Sequence, residues 1–380
     1  MAARSYRAIG LMSGTSMDAI DVAFLETDGE DALRAGVWAS EPYPTPLREA
    51  LLGLEPDAIE LPEFEQQVTM LHVNLVRDFC ARNNIDRTSL DCIGFHGQTI
   101  KHEPHLGKTW QLGDGASMAR ELGCVVINRF RDADLREGGQ GAPFAPAYHG
   151  ALARSSGLQL PVAILNIGGV SNVTLVADDL HAFDCGPGNA LIDDWVRSRA
   201  GVPYDDGGRL AAAGRVNDEA LAQLMDHPYF SLKGAKSLDR NHFSLAPVHG
   251  LSVADGAATL VAFTAGAIAL AARLLPVQAD TWIVVGGGRL NKALIVQLQT
   301  ALQGRVLVAE QVGWAGDAIE AQAFAYLAVR ALRGLPLSWP TTTGVREPMT
   351  GGVRHVPAGT AAFEPPGSVP SAATPVAAQR

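Results

Sequence analysis

The hydrophobic pattern of residues 6–27 predicts two strands joined by a polar turn. Residues 6–12 are mostly apolar, and residues 20–24 alternate between larger apolar side chains and smaller or charged ones, as half-buried strands do. The intervening turn is Ser13-Gly14-Thr15-Ser16-Met17-Asp18. Such a turn can offer backbone N–H groups and hydroxyls to a phosphate, and Asp18 and Asp21 could hold magnesium through water. A plain β-hairpin is the alternative.

The same strand–turn–strand layout occurs again at residues 161–176. Two apolar runs flank Gly168-Gly169, which suggests two related halves facing one ligand, although the two stretches share too little sequence to establish a repeat. A third glycine turn, Gly286-Gly287-Gly288, follows the apolar run 281–285 and precedes a helical pattern. A strand, a glycine turn and a helix N-terminus form a nucleotide site in several folds.

The stretch 183–189 places a carboxylate between an apolar run and a glycine turn. Asp184 stands where we expect the strand to stop, the turn Gly186-Pro187-Gly188 follows, and a helical pattern begins at Ala190. A general base needs such a position, held by rigid elements and open to substrate. An Asx-capped turn is the alternative. Cys185 has no histidine beside it in the sequence, which favours a packed thiol over a nucleophile.

The remaining periodicity predicts further alternating helices and strands. We expect helices within 46–83 and over 116–122, 217–225, 291–302 and 318–332, and strands over 91–95, 109–112, 124–127 and 306–309.

Three polar stretches could contact a ligand. His102 and His105 follow His96-Gly97-Gln98-Thr99 without a helical pattern, so we expect hydrogen bonding rather than metal binding. Residues 128–149 are charged and then glycine-rich, which suits a ligand wall or an interdomain linker. A basic cluster of Lys233, Lys236 and Arg240 could meet a carboxylate or phosphate, or it could be solvated surface.

Composition narrows the class of protein. The net charge of −10 argues against a non-specific nucleic-acid binder, which needs a basic face. The four cysteines include no CxxC pair, as in reduced cytoplasmic proteins. We expect the apolar run 257–272 to be a core helix rather than a membrane span. No signal-peptide core is evident near the N-terminus, and residues 358–380 have the composition of a disordered tail.

Together the motifs resemble one family in the sugar kinase/heat-shock protein/actin superfamily, anhydro-N-acetylmuramic acid kinase. They occur in the family's order between about residues 9 and 357. The motifs are Gly10-Leu-Met-Ser-Gly-Thr-Ser-Met-Asp18, His96-Gly-Gln-Thr99, His102-Glu-Pro104, Gln111-Leu-Gly-Asp114, Gly138-Gly-Gln-Gly-Ala-Pro143, Leu165-Asn-Ile-Gly-Gly169, Ser171-Asn172, Asp184-Cys-Gly-Pro-Gly-Asn189, Lys236-Ser237, Gly286-Gly-Gly288 and Glu320-Ala321.

The resemblance implies an α/β, two-domain actin-like ATPase (ribonuclease H-like) fold with ATP and sugar in the interdomain cleft. Residues 1–130 plus about 340–357 would form the N-terminal domain, and residues 131–339 the C-terminal domain. The family suggests a homodimer, and the composition described above predicts a cytoplasmic protein with no nucleic-acid or membrane partner. The expected ligands are ATP, Mg²⁺ and 1,6-anhydro-N-acetylmuramic acid.

The resemblance also implies a reaction and a set of site residues. Water opens the anhydro bridge while O6 takes the γ-phosphate of ATP, which gives N-acetylmuramate 6-phosphate and ADP in cell-wall recycling. The family's catalytic aspartate matches Asp184, which would deprotonate the water. The residues expected to bind ATP are Gly14, Thr15, Ser16, Met17, Asp18, Ala19, Ile20, Asp21, Gly168, Gly169, Gly286, Gly287 and Gly288. Those expected to bind the sugar are His96, Gln98, Arg131, Gly186, Asn189, Lys236 and Glu320.

Several positions depart from the family's pattern. Of its charged run before the glycine-rich loop, residues 129–134 keep only Phe130, Arg131 and Asp134. Residues 238–241 differ, the segment after Phe243 is shorter, and Ala262 stands where a glutamate is often found. These departures concern sugar contacts more than ATP binding, so two alternatives stay open. One is a kinase for another amino sugar, and the other is a non-catalytic ATP-binding sensor, which the retained Asp184 disfavours.

Overall fold

A computed structural model describes residues 4–15, 17–232, 236, 238 and 242–357, and the predicted tail lies outside these residues. The described chain forms thirteen strands and eleven α-helices. The strands are β1 Tyr6–Ser13, β2 Ala19–Thr27, β3 Leu33–Pro42, β4 Cys92–Phe95, β5 Gln98–Glu103, β6 Lys108–Leu112, β7 Val126–Asn128, β8 Val162–Ile167, β9 Val170–Val176, β10 Leu180–Pro187, β11 Thr281–Val285, β12 Arg305–Val308 and β13 Val353–His355. The helices are α1 Thr45–Leu52, α2 Leu61–Arg82, α3 Gly115–Leu122, α4 Asp132–Arg136, α5 Pro146–Ser155, α6 Ala190–Ala200, α7 Arg209–Ala213, α8 Asp218–Met225, α9 Val253–Ala272, α10 Lys292–Ala301 and α11 Ile319–Leu332.

Two sheets share one topology. The first has the order β13-β7-β4-β1-β2-β3, and the second has the order β10-β9-β8-β11-β12. In each, three consecutive strands form an antiparallel meander, and two later strands run parallel to the first strand of that meander. This is the strand order of the ribonuclease H-like fold, and it confirms the predicted α/β fold class.

Helix α11 lies directly on the first sheet because two strands carry glycine at the contact. Gly10 of β1 and Gly94 of β4 are register partners. A Cβ on Gly10 would stand 1.8 Å from the carbonyl oxygen of Ala321, and one on Gly94 would stand 2.1 Å from that of Phe324. Both contacts are to helix backbone, which cannot move aside as a side chain can. The glycines therefore set how closely the first turns of α11 approach the sheet.

Helices α5 and α11 join the two sheets through one apolar core. Helix α11 packs on β1, β2 and β4, helix α5 packs on β9 and β10, and the two helices contact each other. Tyr148 and Tyr326 contact each other within this layer, with ring centroids 5.6 Å apart and the ring planes tilted by 55°. Ala8 of the first sheet and Ile164 of the second belong to the same buried cluster. Burial of this layer fixes the position of one sheet relative to the other.

Helix α9 is the core helix predicted from its small apolar residues. Among the described residues it alone is long and apolar enough to cross a membrane, and most of it is buried inside the protein. It packs against β10 and against four helices, α6, α7, α8 and α10. The prediction of a core helix is confirmed.

The structure contains elements that were not predicted, namely β3, β5, β13, α4, α5 and α7, and it divides one predicted helical region. Strand β3 has no counterpart in the prediction, because it is an edge strand with mostly exposed residues and lacks the alternation of a half-buried strand. Strand β5 was not predicted either, since it pairs only with β6 in a separate hairpin. The predicted helical region 46–83 is two helices, because Gly53 caps α1 and Pro62 lies in the first turn of α2.

Candidate active site

Asp184 lies inside strand β10, not at its end as the sequence suggested. The strand continues to Pro187, but its pairing with β9 shifts between Asp184 and Gly186, so the strand is irregular at the carboxylate. The Asp184 N–H donates to the carbonyl of Lys236 at 3.0 Å, and its carbonyl accepts from Tyr229 Oη at 2.7 Å. Its Oδ2 accepts from the N–H of Leu238 at 2.7 Å. Tyr229, Lys236 and Leu238 of the same chain thus hold both the backbone and the carboxylate of Asp184.

The environment of Asp184 raises its pKa to about 7, chiefly because burial disfavours the charged form. The Leu238 N–H and the positive charges of Lys236 and Arg131 act in the opposite direction. A carboxylate with a pKa near neutrality is suited to general base catalysis at physiological pH. Beside it, burial raises the pKa of the Cys185 thiol, and Cys185 is free and buried, in agreement with the predicted packed thiol.

Lys236 lies against aromatic rings next to Asp184. Its Nζ is 4.4 Å from the ring centroid of Tyr229 and 5.7 Å from that of Phe183, and the residue is only 8% exposed. Burial lowers its pKa, while the charge of Asp184 opposes that shift. Of the predicted basic cluster, Lys236 therefore contributes positive charge at the carboxylate. Lys233 and Arg240 lie outside the described residues.

Arg131 connects the loop after β7 to the acidic groups of the site. It precedes α4, and its Nη1 donates to the carbonyl of Gly141 at 2.5 Å. Its Nη2 lies 2.9 Å from Nε2 of His96, which must accept because a guanidinium only donates. Burial lowers the pKa of Arg131 to about 10, and the charges of Glu320, Asp134 and Asp184 oppose that shift. Burial and the Arg131 charge keep the pKa of His96 well below its usual value.

Glu320 adds a second carboxylate from the first turn of α11. Asn166, in β8, donates its Nδ2 hydrogen to Glu320 Oε1 at 3.0 Å. Burial raises the pKa of Glu320, and the negative charge of Asp21 raises it further. Burial also raises the pKa of Asp21, with a contribution from Asp317. Asp21 belongs to the first sheet and Asn166 to the second, so the structure brings charged groups from both sheets to one place.

Three glycine-bearing segments meet on the second sheet. The carbonyls of the Gly168-Gly169 turn accept from the N–H groups of Gly188, Asn189 and Ala190 at 2.7–3.2 Å. Asn189 Nδ2 donates to the carbonyl of Ile167 at 3.3 Å, and it would lie 3.6 Å from a Cβ on Gly287. The turn after β8, the start of α6 and the turn after β11 therefore form one surface.

The glycines of this surface are of two kinds. A Cβ on Gly168, Gly169 or Gly287 would meet no atom closer than 3.6 Å, so packing does not require glycine there and the backbone remains open to a ligand. A Cβ on Gly286 would lie 2.4 Å from Asn166 Oδ1, and one on Gly288 would lie 2.4 Å from Ile167 Cγ2. Those two glycines serve close packing against β8.

Gly186 also serves packing, because a Cβ there would stand 2.8 Å from Ala267 of α9. Its carbonyl accepts from Ser171 Oγ at 3.1 Å.

The two aspartates of the first turn have different surroundings. The Asp18 side chain is 70% exposed and forms an ion pair with Arg48 at 3.0 Å, whereas Asp21 is part-buried near Glu320 and Asp317. Within the described residues no three histidine, cysteine or acidic side chains form a group that could hold a metal ion. Ser16 lies outside the described residues.

His102, which the sequence predicted to form hydrogen bonds, does so within the described chain. His102 lies between Thr109 Oγ1 at 3.2 Å and the carbonyl of Gln140 at 2.9 Å. Burial and the charge of Arg131 lower its pKa to about 4. The predicted hydrogen bonding of His102 is observed.

Sequence reasoning did not assign a role to Asn166, Gln111 or Tyr229. Asn166 lies two residues before the Gly168-Gly169 turn and Gln111 lies within a short predicted strand, and both belong to motifs that the sequence analysis quoted. Their local sequence could therefore have indicated a role. The Gln111 side-chain amide contacts the same His96 nitrogen as Arg131 does, at 3.0 Å. Tyr229 lies far from Asp184 in the sequence, and nothing in its neighbourhood indicated the contact.

This arrangement was compared with known proteins. A family model described as anhydro-N-acetylmuramic acid kinase matches residues 6–357. The chain belongs to the anhydro-N-acetylmuramic acid kinase family. A relative of that name in Paramagnetospirillum magneticum (strain ATCC 700264 / AMB-1) is 51% identical over 355 residues, which cover 92% of this chain and 99% of the relative. Relatives of the same name in Methylobacterium nodulans and Rhizorhabdus wittichii are each 49% identical over 92% of this chain, and 100% and 99% of their own lengths are covered.

Solved structures with lower similarity were also found. One is an activator of the 2-hydroxyisocaproyl-CoA dehydratase from Clostridium difficile with bound ADPNP, with a TM-score of 0.45 and 11% identity, covering 85% of this chain and 94% of that one. Another is a ROK family glucokinase from Streptomyces griseus in complex with glucose and AMPPNP, with a TM-score of 0.43 and 15% identity, covering 85% and 99%.

Proposed function

We propose that this protein opens the 1,6-anhydro ring of 1,6-anhydro-N-acetylmuramic acid with water and transfers the γ-phosphate of ATP to O6. The products are N-acetylmuramate 6-phosphate and ADP. The single observation that carries the proposal within this family is the carboxylate of Asp184, part-buried near the positive charges of Lys236 and Arg131 and with a pKa of about 7. That is the group the reaction needs to deprotonate water.

Asp184 acts as the general base in this proposal. Its Oδ2 accepts from the Leu238 N–H, and its Oδ1 would accept a proton from the water that attacks C1 of the sugar. As C1–O6 cleaves, O6 becomes the acceptor for the phosphoryl group. Arg131 lies near both Asp184 and Glu320 and could bind the sugar's lactyl carboxylate, as could Lys236. The neutral imidazole of His96 and the amide of Asn189 would complete the sugar contacts.

The two strand–turn–strand units would bind the phosphates of ATP. The turn 14–18 would supply amides and hydroxyls, and the open backbone at Gly168 and Gly169 would approach from the other sheet. Gly287 would border the adenosine. Phosphoryl transfer depends mostly on positioning and charge neutralisation, and turns fixed to two rigid sheets provide positioning.

Asp21 fits Mg²⁺ better than Asp18 does. Besides burial, the charge of Asp317 raises the pKa of Asp21, and the charge of Asp21 raises that of Glu320. A divalent cation beside Asp21 would relieve this repulsion. Asp18 already pairs with Arg48 and would bind through water only if that pair opened. When bound, the ion would neutralise phosphate charge.

We infer the domain division and setting from the fold and the family. Strand β13 pairs with β7 of the first sheet, which supports placing 340–357 with residues 1–130, and 131–339 as the second domain. A cytoplasmic homodimer without nucleic-acid or membrane partners suits this family of sugar kinases.

The test is a phosphorylation assay with purified protein, Mg-ATP and 1,6-anhydro-N-acetylmuramic acid, read by mass spectrometry. The expected product is heavier than the substrate by one phosphoryl group and one water. If the protein phosphorylates another amino sugar instead, that sugar is its substrate and the assignment of 1,6-anhydro-N-acetylmuramic acid is wrong. Nucleotide binding without any sugar product would favour the sensor alternative.

A further inference from the structure

A buried polar network lies beneath the turn that joins β1 to β2. Its members are Ser13, Gln98 and Tyr43, which are 1%, 0% and 5% exposed. Gln98 Oε1 accepts from Tyr43 Oη at 3.0 Å and from Ser13 Oγ, and the two hydroxyl oxygens are 3.2 Å apart. The three residues come from separate parts of the chain, at the end of β1, after β3 and at the start of β5.

Gln98 links this network to the turn by a hydrogen bond to Gly14. Its Nε2 donates to the carbonyl of Gly14 at 3.2 Å and to that of Thr99 at 3.0 Å. The amide therefore has partners on both its oxygen and its nitrogen inside the protein. A sugar could bind it only by displacing buried hydrogen bonds, which costs free energy, so these contacts favour a supporting role over direct sugar contact.

Tyr43 also holds the far end of the turn. Its backbone N–H donates to the carbonyl of Asp18 at 3.1 Å, while its hydroxyl reaches Gly14 through Gln98. Between these points Met17 has a positive φ of 54°, which is uncommon for a residue with a side chain, and its N–H donates to the carbonyl of Gly14 at 3.1 Å. A backbone in this conformation persists when its surroundings hold it.

We propose that Tyr43, acting through Gln98, is a positioning residue that holds Gly14 and Asp18, at the two ends of the turn between β1 and β2, in the arrangement that binds the nucleotide phosphates. The proposal rests on the proposed function only in taking this turn as a phosphate-binding element. It assigns Tyr43 no contact with either substrate. Loss of its hydroxyl leaves Gln98 Oε1 with one partner fewer and loosens the link to Gly14.

The test compares Tyr43→Phe with Tyr326→Phe in the full-length protein. Tyr326 is a matched control because its hydroxyl is also hydrogen-bonded, to the carbonyl of Glu30 at 2.9 Å, but at the opposite end of β2. Titration calorimetry with Mg-AMPPNP measures nucleotide binding without turnover. We expect Tyr43→Phe to weaken the Kd about five- to tenfold, as the loss of one buried hydrogen bond would, and Tyr326→Phe to leave it unchanged.

Two further measurements separate positioning from general stability. Gln98→Glu keeps the acceptor for Tyr43 but loses the donor to Gly14, so it should weaken nucleotide binding as well. In the double variant with Tyr43→Phe, the loss of nucleotide-binding free energy should be smaller than the sum of the losses in the two single variants. In steady-state assays the KM for ATP should rise in Tyr43→Phe while the KM for the sugar stays within twofold.

The proposal is overturned if Tyr43→Phe lowers the melting temperature yet binds AMPPNP as the wild type does, or if both tyrosine variants weaken binding equally. Because calorimetry needs no sugar, a wild-type protein that binds AMPPNP but phosphorylates no sugar refutes the proposed function and leaves this comparison valid. A wild type that binds no nucleotide refutes both.

Discussion

At the scale of single residues, the surroundings of Asp184 shift the pKa of its carboxyl group in opposite directions. Burial raises its pKa, and the Leu238 N–H, Lys236 and Arg131 lower it. The outcome of about 7 leaves the group partly ionised at neutral pH, and a weak base close to the operating pH transfers protons efficiently. Neither a fully solvated aspartate nor one tightly paired with a cation would have this property.

Asp184→Asn should abolish sugar phosphorylation and preserve nucleotide binding. The amide keeps an oxygen for the Leu238 N–H but cannot take a proton, so we expect kcat to fall about a thousandfold. AMPPNP should bind within twofold of the wild type, because the proposed nucleotide contacts lie elsewhere. The measurements are turnover by mass spectrometry and calorimetric binding. Unchanged turnover in this variant would refute the assignment of Asp184 as the base.

The pH dependence of kcat/KM should report the ionisation of Asp184. The base must be ionised, so kcat/KM should fall about tenfold per pH unit below pH 7 and level off above it. Lys236→Met removes a positive charge that stabilises the carboxylate, which raises the pKa of Asp184 and should move the acidic limb to higher pH. A pH–rate profile of both proteins measures this. A limb that stays in place, or one near the pKa of an ordinary aspartate, would contradict the prediction.

At the scale of elements, the position of α11 on the first sheet determines where Glu320 lies. The helix touches β1 and β4 at two glycines paired in register, and Glu320 is in its first turn. A change in that contact alters both packing and the site, because a rigid helix moves as a whole.

Gly94→Ala should therefore destabilise the protein and impair catalysis together. The added Cβ would stand 2.1 Å from the backbone oxygen of Phe324, and the resulting shift should cost about 3 kcal/mol of unfolding free energy. Gly53→Ala is the control, since nothing lies within 4 Å of its Cβ position and its φ is −102°. Urea unfolding and kcat measure the two effects. Equal stability of the two variants would show that the helix adapts without cost.

At the scale of the whole molecule, the site is formed by two sheets that repeat one topology. The first supplies Asp21 and the 14–18 turn, and the second supplies Asp184 and the Gly168-Gly169 turn. A ligand that contacts both turns would join the sheets, and its binding free energy would add to their stability.

Hydrogen exchange should detect this coupling. With saturating Mg-AMPPNP, we expect backbone amides near residues 14–18 and 168–170 to exchange more slowly together, because opening either turn would break contacts to the same nucleotide. Amide exchange in the exposed residues 34–38 of β3 should not change. Protection confined to one sheet, measured by mass spectrometry, would place the phosphates on that sheet alone.

The glycine turns, the strands around them and the position of Asp184 beside the start of α6 could be predicted because each depends on residues adjacent in the chain. Periodicity and glycine preferences are local properties. The end of β10 was predicted too early because Gly186 and Pro187 have turn composition, yet both pair with β9 across an irregular register. The edge strand β3 escaped prediction because exposure to solvent erases its alternation.

By itself, the sequence determined the α/β fold class, the family and the residues around which the site forms. The tertiary structure decided which side chains act on one another: Lys236 and Arg131 on Asp184, Asn166 on Glu320, and Tyr43 with Gln98 on the first turn. It also separated Asp18, paired with Arg48, from Asp21. The physical reason is that pKa values and hydrogen bonds depend on distance and burial, which for residues far apart in the chain are set only when the two sheets pack around α5 and α11.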